Sequence, residues 1–345
     1  MLYLGLDVHG KWTTIKGFDA ETGEMVEHRQ VSNEPEAMAA VLGRLPGPLH
    51  GALEAGTNSW AMYRQLRPFF EQLVIADPAQ IWDRKRDRGA KTDPRDALGL
   101  AQKLQRGEIK GIYVPDERTQ DLRVLVRSKV RSTRWVTKLV NEIGCLLRSW
   151  GYVVPVSLLS KKGQRQLAEA QLPGRSARIL ELWREMLEKA QEIEKELEAA
   201  VKEEAEADPI CAQLRTMPSV GPFTALVMRA EIGDISRFPD SASFISYAGL
   251  APRVFQSGEQ CRYGSLGHWG NRWIRYTLVL LANRMASAGR GSYLHRFYWR
   301  VKLREHRNGA KIAVTRKAAH LIYHLLRSGQ PWREPVPKQG AKITV

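Results

Sequence analysis

Two apolar runs that each end in a carboxylate, and an acidic pair at the head of a helix, constrain this chain more than any other feature. Leu2–Val8 (LYLGLDV) carries Asp7 at the end of a run that reads as a buried strand, and residues 51–57 (GALEAGT) carry Glu54 at the end of another. In residues 91–97 (KTDPRDA), Asp93 and Asp96 stand three apart at the start of a helical segment, so both project from one side. Carboxylates at strand ends and on one helix face are the oxygen donors that a pair of hard divalent cations needs when phosphate oxygens must also be bound. Taken singly, Asp93 also reads as a helix N-cap and Glu54 as a solvated loop acid. Together, at places consistent with one fold, the four acids favour the metal reading.

The order of elements supports that fold. Residues 2–8, 12–18 and 25–31 read as a meander of three antiparallel strands. Asn33 is placed to cap a helix over residues 34–45, which Leu45-Pro46-Gly47 stops. A short strand at 50–53, a helix near 59–70, a strand at 73–76 and a helix opened by Asp77-Pro78 follow. The order βββαβαβα is that of the ribonuclease H-like, or RuvC-like, fold: an α/β domain with a mixed sheet covered by helices. In such a sheet the first strand ends beside the fourth and the last helix packs across them, so Asp7, Glu54, Asp93 and Asp96 would converge.

Charge points to the partner. Lys and Arg number 53 against 37 Asp and Glu, a net charge of +16, which favours a polyanion and nucleic acid first. A membrane surface is the competing partner, but no apolar run approaches the roughly 18 residues of a spanning helix. The N-terminus opens directly in a strand pattern with no signal peptide. Cys145, Cys211 and Cys261 are odd in number and far apart, which fits a reducing cytoplasm and neither a disulfide frame nor a zinc site. The charge falls in blocks: net +6 over residues 118–150, −7 over 181–208 and +11 over 290–345, so different segments should meet different partners.

Val114-Pro115 marks a boundary. The expected organisation is a metal domain over 1–114, a helical spacer over 115–208, a mostly helical domain over 209–330 and a flexible basic tail over 331–345. Residues 119–150 form one long amphipathic pattern, with Arg123, Arg127, Arg131, Arg134 and Lys138 on its basic face. Residues 176–205 carry Ile179, Trp183, Met186, Ala190, Ile193, Leu197 and Ala200 at 4–3 spacing. Both a coiled coil and an intramolecular hairpin with the preceding helix fit that spacing.

Three later segments carry possible contacts to nucleic acid. Pro218-Ser219-Val220-Gly221-Pro222 between helical stretches looks like a helix-hairpin-helix element, whose Gly221 would bring backbone N–H groups close to a phosphate; a plain turn between helices is the alternative. Residues 247–275 read as a glycine-rich, loop-rich platform surrounded by Arg253, Arg262, Arg272 and Arg275. Its Ser257-Gly258 step, taken alone, is a turn former, because an unassisted serine is a poor nucleophile. Residues 291–326 interleave Tyr293, Phe297, Tyr298 and Trp299 with basic groups, which suits both base stacking and a buried aromatic face.

GLDVHGK, LEAGT and KTDPRDA, followed in order by EIGD, RF, YAGLAP, SG and GN, resemble the DEDD insertion-sequence transposases of the IS-one-ten type, a family that includes the Piv-type DNA invertases. The resemblance covers nearly the whole chain. It implies a cytoplasmic, nucleoid-associated bacterial recombinase with a RuvC-like domain, a coiled-coil spacer and a transposase domain. Asp7, Glu54, Asp93 and Asp96 would bind Mg²⁺, with Mn²⁺ as the alternative ion, and activate a serine that forms a 5′-phosphoserine intermediate. By motif position that serine is Ser257, with Ser265 in reserve. The resemblance further implies target and donor DNA, a structured bridge RNA that pairs with both, and dimers that assemble into tetramers. Candidate nucleic-acid contacts are Arg127, Arg131, Lys138, Gly221, Arg253, Arg262, Arg272 and Arg275. A RuvC-like junction resolvase using water as nucleophile, and a non-catalytic RNA-binding scaffold, are the competing readings.

Overall fold

The computed structural model describes residues 1–81, 93–257, 260–267, 269–288 and 291–335. The chain forms two compact units, Met1–Val114 and Pro115–Val345.

The first unit is a mixed α/β layer. Strands β1 (Leu2–Val8), β2 (Trp12–Asp19) and β3 (Met25–Ser32) form the expected meander, followed by α1 (Pro35–Leu42), β4 (Leu49–Glu54), α2 (Ser59–Leu66), β5 (Gln72–Ala76), α3 (Pro78–Ile81) and α4 (Asp93–Gln105). The sheet order is β3-β2-β1-β4-β5, with β1 antiparallel to β2 and parallel to β4, and β4 parallel to β5. Alternation along the strands divides the two faces. Leu2, Leu4 and Leu6 pack with Leu53, Leu73 and Ile75 against Met38, Leu42, Met62 and Leu66 of α1 and α2. The opposite face presents Tyr3, Ala52, Val74 and Ala76 to Leu100 and Leu104 of α4. Helix α4 lies against β1 because residue 5 is glycine: a Cβ there would sit 1.7 Å from the Ala97 carbonyl oxygen.

Asn33 does not cap α1. Glu34 is the N-cap residue, and the Asn33 side chain instead accepts from the Thr13 hydroxyl at 2.7 Å and donates to the His9 carbonyl at 2.8 Å. Tertiary partners outcompete the local cap, which Pro35 at N1 makes less necessary.

The second unit is mostly helical: α5 (Glu117–Ser149), α6 (Lys161–Glu169), α7 (Gly174–Ala207), α8 (Pro209–Arg215), α9 (Pro222–Ile232), α10 (Ser241–Tyr247), then strands β6 (Pro252–Ser257) and β7 (Gln260–Leu266), then α11 (Arg272–Ala288), α12 (Tyr293–Lys302) and α13 (Arg307–Ser328). Asp116 caps α5 by accepting from the Thr119 N–H. Helices α5 and α7 pack along each other in opposite directions. Leu122, Val126 and Val130 share a core with Val201 and Ala205, while Val136, Ile143 and Leu147 share one with Leu180, Leu187 and Ala190. The long-helix pair is therefore a hairpin within the chain. Ile179 and Met186 of the expected heptad line point outward instead, at 40% and 56% exposure.

The opposite charge blocks of α5 and α7 are joined at Arg118–Glu204 and at Lys129–Glu194 (3.3 Å). The glycine-rich segment is not a loop platform but the antiparallel hairpin β6–β7. In α12, Tyr298 is buried while Trp299 is exposed, so the aromatic run serves both core and surface. The expected tail from residue 331 is held at its start. Trp332 N–H donates to Thr216 Oγ1 at 2.8 Å, and its indole N–H donates to Glu334 at 3.0 Å. Residues 336–345 of that tail lie outside the described residues. No helix among the described residues is long and apolar enough to cross a membrane.

Gly5→Ala should force α4 off β1 and destabilise the fold by about 1–3 kcal/mol, read as a lower denaturation midpoint of the full chain.

Candidate active site and nucleic-acid interface

Strand register brings the first two acids together. Leu6 of β1 pairs with Leu53 of the parallel β4, so Asp7 and Glu54 occupy the next positions of neighbouring strands. Both share a face with Gly5 and Ala52, because side chains alternate along a strand. That is the face α4 covers, and α4 carries Asp93 and Asp96 in its first turn, with Ala97 directly against Gly5. Asp7, Glu54 and Asp96 are all partly exposed at this edge. The side chain of Asp93 lies outside the described residues, as do Lys91 and Thr92 of the motif. Carboxylate oxygens suit Mg²⁺ in chemistry. Among the described residues, however, no three His, Cys, Asp or Glu side chains close on a common metal position.

His9 joins the edge. Its Nε2 lies 3.4 Å from Asp7 Oδ2, and its carbonyl accepts from Asn33 Nδ2 (2.8 Å) and Asn58 Nδ2 (3.1 Å). The loops after β1, β3 and β4 are thereby tied around Asp7. Sequence reading passed over His9. Its place two residues after Asp7 was the available signal.

Ser257 is the last residue of β6 and pairs with Gln260, so it stands at the tip of the hairpin. Ser265 lies at the base, beside the Pro252–Leu266 pair. Arg253 and Arg262 lie along the two strands, with Arg262 opposite Phe255; their side chains are outside the described residues. At the neck, Gly249 and Gly270 take φ values of +69° and +93°, and a Cβ on Gly270 would lie 2.5 Å from the Gly249 Cα. Arg275 was expected to contact nucleic acid. It instead braces this neck, donating to the Gly267 carbonyl at 2.9 Å and to the Trp269 carbonyl. Cys211 offers no rival nucleophile, because burial pushes its thiol up to about 12.

The basic face of α5 divides by partner. Arg127 was also expected to contact nucleic acid, but it holds the fully buried carboxylate of Glu231 through two hydrogen bonds of 2.7 and 2.9 Å. Arg131 and Arg134 are exposed, as is Arg272 at the start of α11. Their guanidiniums lie 5.9, 5.8 and 4.8 Å from the ring centre of the buried Trp273. Arg134 also lies 5.6 Å from the Tyr276 ring. Aromatic faces hold these cations in place while leaving their N–H groups available to an anion. Lys138 is exposed further along α5. The basic face that includes Arg134 was legible in the sequence; its seat on the Trp273 ring was not.

In the turn before α9, Ser219 adopts φ +65°, where glycine is easier, and Gly221 is an N-cap residue with no side-chain cap. This turn borders a cavity of about 340 Å³ that Lys129, Lys202, Arg284 and Glu198 also line.

Comparison with known proteins finds transposases along most of the chain. The family described as Transposase IS116/IS110/IS902 matches residues 211–299, and the DEDD transposase domain of the IS110 type matches residues 4–151. The chain is 26% identical to the transposase for insertion sequence element IS1111A of Coxiella burnetii, over 96% of this chain and 91% of that protein. It is 24% identical to a probable family 20 transposase of Pseudomonas aeruginosa, over 94% of this chain and 96% of that protein. It is 34% identical to the pilin gene-inverting protein of Moraxella bovis, over 34% of this chain and 37% of that protein.

The two classes of arginine should separate on mutation. Arg127→Ala strands a buried carboxylate and should lower unfolding stability by about 3 kcal/mol in chemical denaturation. Arg131→Ala or Arg134→Ala should change stability by less than about 0.5 kcal/mol. Each of these two should also weaken duplex binding and reduce the slope of log K against log salt by about 1, measured by fluorescence anisotropy.

Proposed function

Because the chain belongs to the IS116/IS110/IS902 family of transposases, which makes it a DNA-processing enzyme, we propose that it cuts and rejoins DNA strands through a covalent serine intermediate. The observation that carries this reading is the sheet face on which Asp7 and Glu54 end adjacent parallel strands beneath the helix of Asp93 and Asp96. On this reading the first unit is a RuvC-like nuclease domain. Its four acids would hold Mg²⁺, which when bound polarises the scissile phosphate and lowers the cost of charge on the attacking and leaving oxygens.

Ser257 supplies the nucleophile. Its Oγ bonds to the scissile phosphorus and the bond from phosphorus to the 3′ oxygen breaks. The serine gives up its proton to solvent, and the 3′ oxygen leaves and takes one up. The 5′-phosphoserine then receives a 3′ hydroxyl from another strand, which frees the serine and completes exchange. The tip position of Ser257 favours it over Ser265, because only a residue at the end of the arm can be carried to a separate metal site. The exposed Arg131, Arg134 and Arg272 neutralise phosphates, as does the α9 turn at Gly221. Selection of target and donor DNA is assigned to a structured guide RNA, the bridge RNA of the resemblance, with dimers pairing into tetramers. The guide is tested by sequencing RNA that copurifies with the chain, and the assembly by light scattering.

The deciding experiment incubates the full chain with RNA transcribed from the element's non-coding flank, Mg²⁺ and end-labelled DNA, then resolves protein–DNA adducts under denaturing conditions. Ser257→Ala and Asp7→Ala should each lower adduct formation by about 10³-fold or more while still binding DNA, and chelation of the metal should do the same. Cleavage that persists without an adduct and ignores Ser257→Ala would identify a resolvase using water. Wild-type transposition by Asp7→Ala would identify a scaffold.

A further inference from the structure

The carboxylate of Glu231, at the C-terminal end of α9, has no exposed surface. Arg127 binds both of its oxygens, and Asn271 Nδ2 donates to Oε2 at 2.8 Å. Arg123 is itself 4% exposed and closes the same helix end, donating to the carbonyls of Ala230 (2.9 Å) and Glu231 (3.3 Å). A buried carboxylate is a costly way to pack a helix, and an apolar side chain would serve packing alone as well or better. What Glu231 adds is a connection.

Asn271 stands where the chain leaves the β6–β7 arm. Its N–H donates to the Tyr247 carbonyl at 2.6 Å, and its Oδ1 caps α11 by accepting from the N–H groups of Trp273 (2.9 Å) and Ile274 (3.1 Å). Tyr247 stands where the chain approaches the arm. Its hydroxyl lies 3.3 Å from Asn271 Nδ2 and donates to the Glu231 carbonyl at 3.4 Å. The buried acid therefore ties α5 to the departing end of the arm at Asn271, while the Glu231 carbonyl and Asn271 hold Tyr247 at the approaching end. The arm is a two-stranded ribbon, marginal in stability alone, so its direction must be set at its root.

We propose that Glu231 and Asn271 are positioning residues of the strand-transfer reaction, which hold the neck of the β6–β7 arm in one orientation so that its tip serine is presented in one direction. This rests on the reading of Ser257 as nucleophile. Neither residue touches the reacting atoms. Their effect is geometric, and a displacement of about 1 Å at a reacting group lowers rate by about 10²-fold.

The test uses the full chain with Asn271→Ser and Asn271→Thr. Both keep an oxygen to cap α11, but neither retains the amide donor that reaches Glu231. Amide hydrogen exchange should quicken by about tenfold in β6–β7 while α9 and α11 stay protected, as loss of a hydrogen bond to a charged group predicts. Excision of a complete insertion element from a plasmid should fall by about 10²-fold with DNA affinity unchanged. Unchanged exchange in the arm, exchange that quickens equally throughout the unit, or wild-type excision in both single variants would overturn the proposal. Ser257→Ala runs alongside: excision that survives it defeats the nucleophile reading alone, because the exchange measurement does not depend on activity.

Discussion

Helix α4 can rest on β1 only because residue 5 has no side chain, and the proposed metal edge depends on that contact. A Cβ at this position would occupy the Ala97 carbonyl. With glycine there, the first turn of α4 comes down beside the strand end that carries Asp7, and the parallel β4 adds Glu54 at the next position across. Two acids from remote parts of the sequence share one face because side chains alternate along each strand, and α4 brings its acidic first turn to the same side. The same periodicity puts leucines on the other face, where α1 and α2 build the core that keeps the sheet in register.

The second unit is organised around a different constraint, the desolvation of Glu231. A carboxylate with no exposed surface must be matched by cations and N–H donors. Arg127 and Asn271 meet that need, with Arg123 closing the helix end beside them. Arg127, Arg131 and Arg134 of α5 all lie over the Trp273 ring, but Arg127 is bound to Glu231 whereas Arg131 and Arg134 are exposed. Charge count alone does not make a phosphate-binding surface: several of the cations that give the chain its +16 are bound internally to acids or carbonyls.

Much of the first unit was legible. Alternating apolar runs, turn residues and the acids at their ends gave strands close to those observed, because one buried face forces a strict pattern. The Asn33 cap was misread because its side chain is drawn to the His9 carbonyl, a partner remote in sequence. The serine segment was misread as a loop platform because its glycines suggest turns, whereas two of them, Gly249 and Gly270, pinch the neck of a strand hairpin. The 4–3 spacing in α7 was compatible with a coiled coil or an internal hairpin, and spacing cannot say which helix supplies the opposing surface.

By itself the sequence determined the element order of the sheet unit, the acids at the end of its strands, the basic character of the chain and the likeness of its motifs to DEDD transposases. These are local properties, written in periodicity, charge and short spacing. Only the tertiary structure decided which of the arginines face solvent, that α5 and α7 pair with each other, that Ser257 stands at the tip of an arm, and that Glu231 is bonded at its root. Those outcomes depend on which groups lose contact with water together, and burial is a property of the assembled fold rather than of any stretch of chain.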